Sequence, residues 1–207
     1  IVKFDDEYYI TYAFRPYPPG RYWENAYDVI EMPEHNKFAP KCLKENVGNT
    51  ALAVTKDLMN FKKIGRLTHP SLDDRDVIIF PEKINDKFYM LHRPKNFVGK
   101  EYGTDYPAIW IKSSDDLMSW DVPSKLLLKG EEEWEVKVGG NTPPIKTESG
   151  WLLLYHGVDK YFTYRVGACL LDLNDPTKVL YKTRHFIMEP ETSYEKSGLY
   201  KWRRKIG

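Results

Sequence analysis

A strand–turn–strand pattern that returns three times constrains this chain more than any other feature. The copies are Val2-Lys-Phe-Asp-Asp-Glu-Tyr-Tyr-Ile-Thr-Tyr12, Glu82-Lys-Ile-Asn-Asp-Lys-Phe-Tyr-Met-Leu-His92 and Ile145-Lys-Thr-Glu-Ser-Gly-Trp-Leu-Leu-Leu-Tyr155. Each has a Lys-bearing strand end, a short turn drawn from Asp, Asn, Ser and Gly, and an apolar strand led by an aromatic. Those turn residues tolerate the left-handed backbone of a tight reversal, and aromatics suit a pleated, half-buried surface, so the run predicts a β-hairpin. A second pattern follows each hairpin: Ala53-Val-Thr-Lys-Asp-Leu-Met-Asn-Phe61, Ile111-Lys-Ser-Ser-Asp-Asp-Leu-Met-Ser-Trp120 and, more loosely, Leu170-Leu-Asp-Leu-Asn-Asp-Pro-Thr-Lys178. Here a strand runs into a polar turn containing Asp. Leu58, Leu117 and Pro176 take equivalent places.

Evenly spaced short strands, with no helical periodicity sustained over several turns, predict an all-β chain and a β-propeller, one four-stranded sheet per blade. A repeat of roughly 60 residues gives about three blades, fewer than the typical four to eight of a closed propeller. Residues 1–207 are therefore expected to form a partial propeller domain cut at both ends. About residues 13–50 an insertion rich in Pro and aromatics interrupts the repeat, too long for a hairpin loop. It reads equally as a solvated excursion or as a flap or oligomer contact.

The net charge of +1 makes no case for nucleic acid or an acidic membrane surface. No apolar run approaches a membrane span. Cys42 and Cys169 make no disulfide framework. Cys169, in an apolar strand, reads as buried, and a reducing cytoplasmic setting is the expectation. The 15 Tyr, 9 Phe and 6 Trp fit both sheet packing and a sugar cleft in which flat rings stack on pyranose faces. The acidic run Glu131-Glu-Glu-Trp-Glu135 reads as a solvated loop.

The chemistry is expected where strands end. Arg75 precedes a buried apolar run, Arg93 ends the second hairpin strand, Lys137 precedes a Gly/Pro-rich turn, and His156 ends the third hairpin strand at the repeat position of Arg93. Singly, each reads as structural, Arg75 as the partner of a neighbouring Asp. Together, at matching ends of neighbouring blades, they predict a cationic pocket, since Arg offers a bidentate fork to phosphate or carboxylate and Lys a point charge. The histidines have no metal-ligand spacing, and there is no P-loop, dinucleotide fingerprint or nucleophile elbow.

In sequence and order, several segments resemble glycoside hydrolase family 130: Asp74-Arg-Asp-Val-Ile-Ile-Phe-Pro-Glu-Lys83, Leu91-His-Arg-Pro94, Lys137-Val-Gly-Gly and Trp151-Leu-Leu-Leu-Tyr-His-Gly-Val158. Tyr164-Arg-Val-Gly-Ala168, Leu171-Asp-Leu-Asn-Asp-Pro176, Met188-Glu-Pro-Glu191 and Tyr194-Glu195 extend the likeness. The resemblance implies a five-bladed propeller with an axial site and phosphorolysis of terminal β-1,4- or β-1,2-mannosides, with inversion, to α-mannose 1-phosphate. It implies inorganic phosphate as co-substrate, no cofactor and no metal. By motif, the phosphate set carries over to Arg75, Arg93, Lys137, His156 and Tyr164. The family's general acid, the Asp of an Asp-Pro-Arg motif, is expected just before Ile1, and Asp5 and Asp6 do not match it. The likeness departs at Gly139-Gly-Asn141, where the family pattern is closer to Gly-Ala-Gly. A water-using β-mannosidase and a non-catalytic carbohydrate-binding propeller are the alternatives, and homo-oligomerisation stays open.

Overall fold

The structure is a computed structural model, and it describes residues 1–14 and 48–197. Most of the interruption after the first hairpin lies outside those residues, as do Cys42 and the chain from 198 onward. The described residues form three antiparallel sheets. The first runs in order through β1 (Val2–Phe4), β2 (Glu7–Phe14), β3 (Asn49–Thr55) and β4 (Lys62–Arg66). The second holds β5 (Asp74–Ile79), β6 (Phe88–Pro94), β7 (Ile109–Ser114) and β8 (Lys125–Leu128). In the third, β9 (Lys137–Gly140) and β10 (Ile145–Thr147) lie one after the other along β11 (Gly150–Val158), followed by β12 (Tyr164–Leu171) and β13 (Val179–Lys182). Among the described residues, helix is confined to the single turn α1 (Ser193–Ser197) and two short 3-10 turns.

The turns explain the repeat. Asp57 Oδ1 accepts the N–H groups of Met59 and Asn60, Asp116 Oδ1 those of Met118 and Ser119, and Asp172 Oδ1 those of Asn174 and Asp175. An Asp that caps its own turn in this way closes the third strand of every sheet. The bonds also correct the alignment of the third copy: Leu173, not Pro176, stands where Leu58 and Leu117 do. The second hairpin differs as well. Pro81 has no N–H to give a ladder, and β5 ends at Ile79. Beyond it the Phe80 N–H still donates to the Tyr89 carbonyl, and the Ile84–Lys87 bridge is closed by Asn85 and Asp86 at φ 51° and 62°, the backbone of a type I′ turn.

The second sheet packs on both faces. Along β5 and just beyond it, Val77 and Ile79 join Val2, Leu52, Leu67, Met90 and Trp120 in one core. Ile78 and Phe80 point the other way, into a core with Val138, Trp151, Leu153 and Tyr155. The period of two along a strand thus sets one sheet between its neighbours. Several large aromatics serve this packing, as in the edge-on contact of Phe80 with Trp151. Cys169 is buried as expected, and burial pushes its thiol up to about 12.

The acidic run is not a solvated loop throughout. It ends in a 3-10 turn, Glu133–Glu135, that buries Trp134 and Glu135. Trp134 stacks on Tyr155 over Gly157 and Gly167, where a Cβ would approach the indole to 2.6 Å. Glu135, fully buried, takes a hydrogen bond from the Tyr155 hydroxyl at 2.9 Å and an ion pair from Lys182 at 2.6 Å.

Candidate active site

The candidate residues meet where the second and third sheets adjoin. Arg75 and Arg93 are paired partners on β5 and β6, so their side chains leave the sheet on one face. His156 is paired with Gly139, and Lys137 with Val158, along β9 and β11. Between them stands Asp76, which motif reasoning passed over. Its Oδ2 lies 2.6 Å from Arg93 Nε and 3.7 Å from His156 Nε2, linking the two sheets. Asp76 sits at a register shift in β5 with φ 53°, a left-handed conformation that an Asp adopts at some cost. Gly139 makes the approach possible. A Cβ there would stand 2.2 Å from Asp76 Oδ2 and 2.6 Å from His156 Cε1.

His156 is held from its other side. Its Nδ1 lies 2.8 Å from Asn141 Oδ1, which fixes the ring with Nε2 facing the cluster. Asn141 belongs to the segment that departs from the family pattern, and here it orients the imidazole. Burial holds the His156 pKa below its usual range; Asp76 pulls the other way, and Arg93 and Lys137 add to the lowering. The imidazole is therefore neutral near neutral pH. The Tyr164 ring lies 5.5 Å from the His156 ring.

Arg75 departs from expectation in one respect. Its guanidinium is held by Asp73 through two hydrogen bonds, of 2.6 and 3.0 Å. Burial alone would raise the Asp73 carboxyl, yet Arg75 and Lys95 keep it below the ordinary carboxylate range. Arg75 thus borders the cluster by strand register, with its own charge matched. Arg93 and His156 meet at Asp76, with Tyr164 beside the His156 ring and Lys137 close enough to act on the imidazole.

A second exposed feature adjoins them. The turn between β11 and β12 presents Tyr161 and Phe162, with Phe162 at φ 67° and its ring 5.8 Å from Lys137 Nζ. Asp159 fixes this turn by accepting the N–H groups of Tyr161 and Thr163 and by pairing with Arg165 at 2.8 Å. Two surface concavities lie elsewhere, one bordered by Gly99, Tyr106 and Lys129 and one by Tyr12, Phe14 and Lys63. Neither brings cationic side chains from two sheets onto a buried carboxylate, as the cluster does.

A family profile described as beta-1,4-mannooligosaccharide phosphorylase matches residues 1–201. A beta-1,2-mannobiose phosphorylase of Listeria innocua is 48% identical over 151 residues, which are 72% of this chain and 41% of that protein. A 1,2-beta-oligomannan phosphorylase of Thermoanaerobacter is 43% identical over 149 residues, 71% of this chain and 46% of that one. The solved structure of the beta-1,2-mannobiose phosphorylase from Listeria innocua with beta-1,2-mannobiose superposes with a TM-score of 0.69 at 37% identity, covering 93% of this chain and 45% of that chain. The chain spans less than half the length of the curated relatives it matches.

Proposed function

The chain belongs to glycoside hydrolase family 130, and from that premise we propose that the protein carrying it is a β-mannoside phosphorylase. The observation that carries the reading is the convergence of Arg93 from the second sheet and His156 and Lys137 from the third on one point. Such a cluster suits an anionic nucleophile, which it can position and whose charge it can balance as the displacement proceeds. Phosphate held by Arg93, Lys137 and His156, with Arg75 and Tyr164 at its border, attacks the anomeric carbon of a terminal β-mannosyl unit with inversion. The leaving sugar oxygen takes its proton from an Asp supplied by the segment expected before Ile1. Tyr161 and Phe162 offer the sugar a flat apolar surface beside Lys137.

In this reading the three sheets are three consecutive blades of a five-bladed propeller, and the cluster faces its axis. The more similar curated relatives act on β-1,2 linkages, which favours a β-1,2-mannoside over a β-1,4 one. A cytoplasmic setting fits a reaction that conserves the glycosidic bond as a sugar phosphate. The test is to supply the full-length protein with β-1,2- and β-1,4-mannobiose, with and without phosphate. Mannose 1-phosphate formed only with phosphate, and faster from the β-1,2 sugar, is the expected result. Free mannose at a rate indifferent to phosphate overturns the reading.

A further inference from the structure

Asp76 brings a negative charge into a cluster otherwise suited to an anion. Three observations show that the carboxylate is held there. Its backbone is left-handed within a bulged strand. Gly139 leaves the space that Oδ2 fills. Arg93 Nε and Asp76 Oδ2, both buried, form an ion pair at 2.6 Å.

An oxyanion that settles among Arg93, Lys137 and His156 meets the Asp76 carboxylate, whose side chain stays 22% exposed. If the oxyanion carries a hydrogen, the contact is a charge-assisted hydrogen bond; if it carries none, two negative oxygens face each other in a poorly solvated place. Phosphate keeps at least one hydrogen at neutral pH, and sulfate, of nearly the same size and shape, keeps none. We propose that Asp76 determines the anion specificity of the site: its carboxylate accepts the hydrogen of a phosphate P–OH and excludes fully ionised tetrahedral anions such as sulfate. The proposal rests on the reading of the cluster as the phosphate site.

The experiment compares the KM for phosphate with the inhibition constant of sulfate in the full-length protein acting on mannobiose, unaltered and as Asp76→Asn. Asn tolerates the left-handed backbone and replaces the repelling oxygen by a donor or a neutral acceptor. The ratio of sulfate inhibition constant to phosphate KM is expected to fall about tenfold or more in Asp76→Asn, because one like-charge contact has gone. A purely structural loss would weaken both anions together. The unaltered protein gives a second readout that needs no variant: arsenate, which keeps a hydrogen, should replace phosphate, while selenate, which keeps none, should bind as weakly as sulfate. Sulfate or selenate bound as tightly as phosphate by the unaltered protein overturns the proposal. Arg93→Ala separates the two ideas. A raised phosphate KM in Arg93→Ala with an unchanged ratio in Asp76→Asn removes the role of Asp76 alone. An unchanged phosphate KM in Arg93→Ala removes the phosphate site, and the role of Asp76 with it.

Discussion

Gly139 shows how a residue with no side chain shapes the candidate site. The 2.2 Å that a Cβ would leave to Asp76 Oδ2 is far inside contact distance, and both neighbours are held, Asp76 by Arg93 and His156 by Asn141. Gly139→Ala should therefore part the two sheets locally and raise the phosphate KM about tenfold or more, as a displacement of about 1 Å in a binding constellation does. Kinetics at saturating mannobiose would check it, and an unchanged KM would place phosphate elsewhere. His156 carries a second consequence. Its folded pKa lies below the ordinary value, so the unfolded chain takes up a proton at a higher pH than the folded one. Its contribution to stability is full above about pH 6.5 and is lost as pH falls from there toward the lowered folded value. Denaturant unfolding at pH 7.5 and 5.5 should show a smaller loss on acidification in His156→Asn than in the unaltered protein; an equal loss would contradict the shift. Arg93 and His156 could be read from the sequence because they end matching strands. Asp76 could not, since its role comes from a bulge that turns it toward another sheet, and a bulge leaves no periodic trace.

At the scale of single elements, the turns were the most readable parts, because a self-capping Asp or an Asn-Asp pair states its backbone in its own chemistry. The break between β9 and β10 was not readable, and neither was the burial of the acidic run. Glu131-Glu-Glu-Trp-Glu135 has the composition of a solvated loop, and Lys182 and Tyr155, both far along the chain, join the Glu131 and Glu132 N–H groups in making burial of its last carboxylate tolerable. Burial also pushes the Tyr155 phenol up, helped by the Glu135 charge it bonds to. Glu135→Ala would leave the Lys182 ammonium and the Tyr155 hydroxyl without this acceptor and should cost about 3–5 kcal/mol. Glu135→Gln keeps the acceptor oxygen for one of the two groups and turns an NH2 toward the other, and should lie between. Urea unfolding of the three proteins orders them, and an alanine variant within experimental error of the unaltered protein would mean that the buried pair contributes nothing.

For the whole molecule, the repeat predicted sheets of one kind in succession, and that succession is what the described residues show. Which faces meet follows from β5, whose odd and even residues enter different cores. The cationic cluster lies on one of these junctions, drawing Arg93 and Asp76 from the second sheet and Lys137 and His156 from the third. A ligand seated there binds both sheets at once and neither alone, so phosphate should stabilise their docking as well as fill a site. At a concentration of 100 Kd a ligand exclusive to the folded state adds about 2.7 kcal/mol. The melting temperature of the full-length protein should rise with phosphate accordingly. Amide exchange should slow in β5–β6 and in β9–β11 together, while β1–β4 change little. In Arg93→Ala both effects should vanish, since the second sheet loses its charged contact with the ligand. Protection confined to one sheet would mean that the anion sits on a single blade and that the junction plays no part in holding it.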